Sequence, residues 1–453
     1  MSSRFVYISV LVVLFCAAFQ PARVWGQSGN AARDLMNAQR NGEQTALGQA
    51  GANPFGEYDE ENGEEDGQTD TTQQEKRIKK PLESYFFSDS VRALPNFKWN
   101  IDPYANRVEI KGLDTMLRDW HIDYPYLQDG VGDVYLGNLG GATIPQNYFE
   151  RPQDFDFQMA EAFSGYLYRM DNVDFYNVKK PFTLFTYLNA GQKRYLEENF
   201  RITHAQNISP STGVNIDYKS RGTRGIYTWQ RARVKDLSIA FSHTGKRYSV
   251  HAGYIYNSVD ARENGGIVGD WAVVDTVFEL PSNVPVKLQD AQNRIRNNTF
   301  YLVQSFGIPL IGLTEEDFTM GDRPAVYIGH AIEYSRMYRK YTDTRAGTIY
   351  TDERDESGGQ TQYEYYENWF IDPEQTLDST FESRLSNRVF IQLQPWNRNG
   401  VIGVIDGGVG LDNHRYYNFS FDEYVTGKRR TVSKTSYYVY GSIDGKIKRY
   451  VDW

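Results

Sequence analysis

From Lys235 to Asp260 the chain reads KDLSIAFSHTGKRYSVHAGYIYNSVD. Leu237, Ile239 and Phe241 alternate with Ser238, Ala240 and Ser242. Past the short polar run Thr244 to Arg247, Tyr248, Val250, Ala252, Tyr254 and Tyr256 alternate with Ser249, His251, Gly253 and Asn257, and Ile255 is the exception. A period of two places successive side chains on opposite faces and predicts strand. A Gly-containing turn between two such runs predicts a hairpin. One face is oily and aromatic, the other small and polar. A soluble sandwich turns the oily face inward, whereas a transmembrane barrel turns it outward to lipid. Alone, the hairpin fits the sandwich more often. Its halves also match the roughly 9–11 residues a tilted strand needs to cross a bilayer.

The same rule, carried along the chain, predicts strands at Phe182 to Leu188, Arg194 to Gln206, Val214 to Tyr227 and the two halves of the hairpin. It continues with Asn298 to Phe306, Ala325 to Tyr341, Arg388 to Gln394 and Val401 to Leu411. Arg415 to Glu423, Thr435 to Ile443 and Lys446 to Trp453 complete the series. That is about a dozen strands by alternation. Ala261 to Arg294 and Thr342 to Leu385 read as long polar loops after the fifth and seventh strands. In an outer-membrane barrel with a periplasmic N-terminus, the long extracellular loops follow odd strands. The connection Gly307 to Pro324 is long for a periplasmic turn. No helical period separates the strands, which excludes parallel α/β folds.

The N-terminal part differs. Arg4 followed by the apolar run Phe5 to Phe19 has the form of a secretory signal, with Val24-Trp25-Gly26 or Cys16-Ala17-Ala18 as cleavage site, and residues 1–26 are assigned to it. Phe15 before Cys16, the single cysteine, argues against a lipoprotein signal. Residues 27–80, with the acidic run Glu57 to Asp66, carry nothing that builds a core and read as a disordered tail. Residues 81–174 read as an irregular, plug-like periplasmic segment packed on or under a barrel of residues 175–453. Short strands are expected at Phe97 to Ile101 and Arg107 to Ile110. Ile144-Pro145 forbids the helix that a nucleotide loop at Gly137 to Gly141 requires.

Composition shifts the balance toward the barrel. Aromatic residues make up 15% of the 453, as girdles at two membrane interfaces would require. The net charge of −9 argues against nucleic acid. No stretch of about 18 apolar residues follows the signal, which excludes a helical anchor. A barrel hides from hydropathy because half of each strand is polar.

Lys180 to Gly266 resembles the putative porins of the Bacteroidetes phylum. The resemblance rests on Pro181-Phe182-Thr183 leading to Tyr187 and Gly191, on Phe200 to Asn207, and on Gly225-Ile226-Tyr227 before Gln230. Lys246-Arg247-Tyr248 and Asn264-Gly265-Gly266 add to it. It implies an outer-membrane barrel in a Gram-negative cell and carries over no site residues. Members of that family are longer. The closing aromatic Trp453 fits a complete twelve-strand barrel, while Lys446, Lys448 and Arg449 fit a piece of a larger one.

Chemistry is sparse. His121, His204, His243, His251, His330 and His414 share no metal-ligand spacing. No Gly-x-Ser-x-Gly elbow is present. Asp154 with Asp156, Glu315 to Asp317 and Asp352 to Glu356 offer carboxylates, and Tyr363, Tyr365, Tyr366, Trp369 and Phe370 could stack on a sugar. These keep a secreted carbohydrate-binding protein or glycosidase as the alternative. The favoured reading is an all-β, antiparallel transmembrane β-barrel forming a passive, water-filled pore for small solutes, with no enzyme activity, cofactor or metal. Its partners are outer-membrane lipid and the barrel-assembly machinery. Expected to line the pore are Asn199, Arg201, Thr203, Ser238, Ser242, His251, Asn257, Arg388, Gln392, Gln394, Asn418, Ser420 and Asp422. Expected to face lipid are Leu237, Ile239, Phe241, Val250, Ala252, Tyr254, Tyr417, Phe419 and Phe421. No energy-coupling box or substantial plug domain is evident, which speaks against active uptake.

Overall fold

The computed structural model divides into Met1–Lys76 and Arg77–Trp453. It describes residues from 96 to 452 except 102–107, 117, 119–130, 136, 152–156, 192–195, 246, 270–279, 311–324, 345–347, 355–359, 365–375, 396–400, 419–430 and 448–450. The expected signal and acidic tail lie outside these residues, as does the connection Gly307 to Pro324 beyond Leu310.

Five short strands come first: β1 (Asn96–Ile101), β2 (Val108–Gly112), β3 (Asp133–Tyr135), β4 (Thr143–Pro145) and β5 (Phe175–Val178). The order β2-β1-β5 makes a small antiparallel sheet, and β3 pairs with β4. The long strands follow: β6 (Phe182–Ala190), β7 (Glu197–Ser209), β8 (Thr212–Thr223), β9 (Ala232–Thr244), β10 (Tyr248–Arg262), β11 (Gln292–Pro309) and β12 (Ala325–Asp343). After a hairpin of β13 (Thr348–Arg354) and β14 (Gln360–Glu364) come β15 (Thr376–Gln394), β16 (Val404–Asn418) and β17 (Thr431–Asp444). All the long strands join one ten-stranded antiparallel sheet of sequential neighbours, with β6 and β17 at its edges.

The strand count differs from the expected dozen in two places. Val401 to Leu411 and Arg415 to Glu423 fall on a single strand, β16, which runs unbroken through Asp412, Asn413 and His414 to Asn418; residues 419–423 lie outside the described ones. Gly408 and Gly410 sit opposite Tyr440 and Tyr438 of β17, and a Cβ at Gly408 would lie 2.6 Å from the Tyr440 ring. Gly253 is covered the same way by Tyr301, and Gly329 by Phe390. A ring laid over a glycine on the neighbouring strand restores the packing that the missing side chain forgoes. At the other place, Lys446 to Trp453 adds no strand to the large sheet, since Lys446–Ile447 pairs only with Val451–Asp452. The loop expected over Thr342 to Leu385 is shorter than that, because β15 already begins at Thr376.

The sheet has a covered face and a bare face. Along β9, Ala232, Val234, Asp236, Ser238, Ala240, Ser242 and Thr244 are all buried, beneath the segment that precedes β6. Phe97, Trp99, Ile101 and Phe175 pack there on Ala240, Ile255, Tyr301 and Phe390. Toward the opposite end Leu139, Phe157, Phe163 and Leu167 pack on Val234, Val259 and Ile295. Small wall residues allow the approach: a Cβ at Gly213 would lie 2.9 Å from the Tyr176 carbonyl. The bare face carries the large apolar groups, with Phe300 53%, Ile391 55% and Val439 81% exposed. Aromatic pairs run across the strands there: Tyr254 with Phe300 at 4.7 Å, and Phe185 with Phe200 at 5.2 Å between ring centroids.

Candidate functional site: the covered face of the sheet

Ladder register assigns each expected site residue to a face. His251 lies opposite Ser242, Ser238 opposite Ile255, and Asn257 opposite Asp236. Asn199 pairs with Arg221, Arg201 with Lys219 and Thr203 with Asp217. Arg388 lies opposite Gly410 and Gln392 opposite Asp406, and Gln394 opposite Ala325. All these positions share the covered face. Asn418 continues the row opposite Thr380, and Ser420 and Asp422 lie outside the described residues. Leu237, Ile239, Phe241, Val250, Ala252, Tyr254 and Tyr417 belong to the opposite, bare face, and Phe419 and Phe421 lie outside the described residues.

Along β7 to β10 the covered face meets protein. Asn199, Thr203, Ser238, Ser242, His251 and Asn257 are all buried. The wall's polar side chains serve the backbone of the N-terminal segment, whose irregular course leaves amide groups without ladder partners. Asn257 accepts from the Tyr168 N–H at 2.9 Å and donates to the Tyr168 carbonyl at 2.8 Å. Asn215 donates to the Asp174 carbonyl at 3.0 Å, and Asn207 accepts from the Val178 N–H at 3.2 Å. The Trp99 indole donates to His251 Nε2 at 3.2 Å. Within the segment, the Tyr166 hydroxyl accepts from the Gly140 N–H at 3.0 Å, and burial pushes its pKa up to about 12.

Between these contacts lies a set of ion pairs. Arg201 meets Asp217 at 2.8 Å and Arg221 meets Asp236 at 3.2 Å, the second pair almost fully buried. Lys219 stands 5.0 Å over the Tyr168 ring and Arg221 5.5 Å over Tyr166. Across the sheet Arg384 meets Glu333 at 2.7 Å, and His414 meets Glu382 at 2.9 Å. Sequence reading missed Asn207, Asn215, Asp217, Arg221, Asp236, Glu333 and Arg384. Parity was the available signal, because each lies an even number of residues from a covered-face position on its own strand.

Among the described residues no cluster of three His, Cys, Asp or Glu side chains stands ready for a metal. The described histidines are used within the fold: His204 with Thr183 at 2.8 Å, His243 with Thr212 at 2.9 Å, His330 with Asn387 at 2.8 Å. His121, Asp154, Asp156 and Glu315 to Asp317 lie outside the described residues, and so do Tyr365, Tyr366, Trp369 and Phe370. No helix among the described residues is long and apolar enough to cross a membrane, which says nothing about crossing by strands.

No curated protein matches the chain. Among solved structures it is similar to the ferric citrate transporter FecA in its unliganded form, at 11% identity and a TM-score of 0.30, over 76% of this chain and 55% of that one. The chain therefore spans little more than half the length of that structure. A family model described as Putative porin matches residues 96–452, which takes in the small N-terminal sheet and all ten strands of the large one. By that match the chain belongs to the putative porin family.

Proposed function

We propose that this protein is an outer-membrane porin whose ten-stranded sheet lies in the bilayer and encloses a passive, water-filled path for small solutes. The observation that carries the reading is the direction of the alternation. Phe241, Phe300, Ile391 and Val439 are exposed on the bare face, while the small and polar set is buried on the other. A soluble sandwich would bury the first set and wet the second. Large contiguous apolar surface on a soluble protein is a liability, whereas lipid accepts it. On β11 the outward positions from Phe300 to Ile308 are apolar except for Gln304. Eight steps of about 3.4 Å at a tilt of about 40° span roughly 20 Å, close to the band such barrels present.

On this reading the segment between Asn96 and Val178 sits within the barrel, and the solute path follows what it leaves open. The covered-face row Ser386, Asp412 and Ser436 is polar and only half-buried, and it is the stretch of wall we assign to the path. Residues 1–26 direct export, and the barrel-assembly machinery inserts the chain. Porin membership argues for a non-enzymatic role.

Conductance across planar bilayers tests the proposal. The full-length protein is expected to give discrete steps. Asn257→Ala, which removes both bonds to the Tyr168 backbone, is expected to raise the mean conductance or its fluctuation. Membrane-inserted protein that conducts in neither form, nor after deletion of residues 96–178, would refute the pore.

A further inference from the structure

We propose that the bare face at the long-loop end of β12, β15 and β16 binds the phosphate groups of a phosphorylated lipid of the outer leaflet; this rests on the porin reading. A groove of about 690 Å³ opens there, lined by Arg336, Lys340 and Arg415 together with Tyr338, Phe381 and Leu377. Arg336 lies opposite Ser383, which lies opposite Arg415. Two strand spacings therefore separate the guanidinium-bearing positions, about 10 Å of backbone, which two phosphates of one headgroup can bridge. The Arg336 guanidinium lies 5.2 Å over the Phe381 ring, which holds it in the groove.

Charge distribution selects the ligand. The chain is acidic, yet the described outward positions of β12, β15, β16 and β17 carry no carboxylate. The acids of the covered face, Glu333, Glu382, Asp406 and Asp412, lie on the other side of the same strands. Among the described residues, the outward positions of these four strands thus supply no counter-charge to the cations in the groove. At the opposite end of these four strands the described bare-face positions bear no Lys or Arg, so the cations gather at one end only. Arginine takes phosphate in a bidentate fork, and lysine adds a point charge. Leu377 in its lining and Leu385 on the same face of β15 are exposed. Acyl chains attached to the phosphate would cover them, and a free anion would not. Tyr338 and Tyr417 stand where amphipathic rings meet headgroups.

The test uses the full-length protein purified from outer membranes in mild detergent, with native mass spectrometry against bisphosphorylated lipid A. The wild type is expected to retain one or more lipid molecules. The triple variant Arg336→Ser, Lys340→Ser, Arg415→Ser is expected to lose retention at least tenfold while keeping its heat-modifiable gel mobility. Dephosphorylated lipid A should bind the wild type no better than the variant. Equal retention by the two proteins, or retention regardless of phosphate, would overturn the proposal. So would full displacement by millimolar inorganic phosphate, which would assign the groove to a free anion. A wild-type protein that never inserts into the membrane would overturn both this proposal and the porin reading, and mobility separates that failure from the others.

Discussion

Asp236 and Arg221 are almost fully buried against each other on the covered face, where neither can find water. Removing one partner strands the other, at a cost of about 3–5 kcal/mol. Asp236→Ala is therefore expected to lower the urea midpoint of the protein refolded in vesicles, and Arg221→Leu added to Asp236→Leu should recover most of the loss. A single variant that matched the wild type would mean that water reaches the pair. Asn257 acts at the same scale. Its alanine variant orphans the Tyr168 amide and carbonyl, each worth about 1–3 kcal/mol when left unmade, and should speed protease cleavage between residues 96 and 178. Parity along a strand shows in sequence that Asp236 and Asn257 share a face with Ser238 and His251. It does not show that Tyr168, far off in sequence, would meet Asn257, because an irregular segment has no period from which to predict its partners.

At the scale of the element, a lapse in the oily alternation is where the pattern misleads. Asp412, Asn413 and His414 read as a gap between two strands, yet β16 runs through them from Val404 to Asn418, and within it Tyr438 and Tyr440 fill the space above Gly410 and Gly408. Gly408→Val should drive the Tyr440 ring off its seat and cost about 1–3 kcal/mol by overpacking. Adding Tyr440→Ala should return part of it, as read by the temperature at which heat-modifiable mobility is lost. Strand ends were illegible for a related reason. β12 and β15 each run for 19 residues, longer than the roughly 9–11 that cross the hydrocarbon. Beyond the apolar band the outward positions become Arg336, Lys340, Ser379 and Ser383. Oily alternation fades there while the ladder continues, so part of β15 reads as loop.

The whole molecule follows from which face is oily. The ten strands put the large apolar groups on the side opposite the N-terminal segment; the hairpin from Lys235 to Asp260 showed two unlike faces but favoured the inward orientation when taken alone, and composition with the loop pattern tipped the reading outward. The filling of the other side was less so, since the small and polar alternates suit a wet lumen and a wall packed against protein equally well. A charge on the bare face should obstruct membrane assembly. Phe241→Arg or Val250→Arg is expected to cost about 2–4 kcal/mol at the midplane and to deplete the protein from outer-membrane fractions. The most direct measurement is a nitroxide scan of β9 from Leu237 to Ser242, one label at a time, in protein refolded into lipid vesicles. Collision with oxygen, which concentrates in acyl chains, should peak at positions 237, 239 and 241 and fall at 238, 240 and 242. Low oxygen access at 237, 239 and 241, with the labels immobilised as in a dry protein core, would contradict the account.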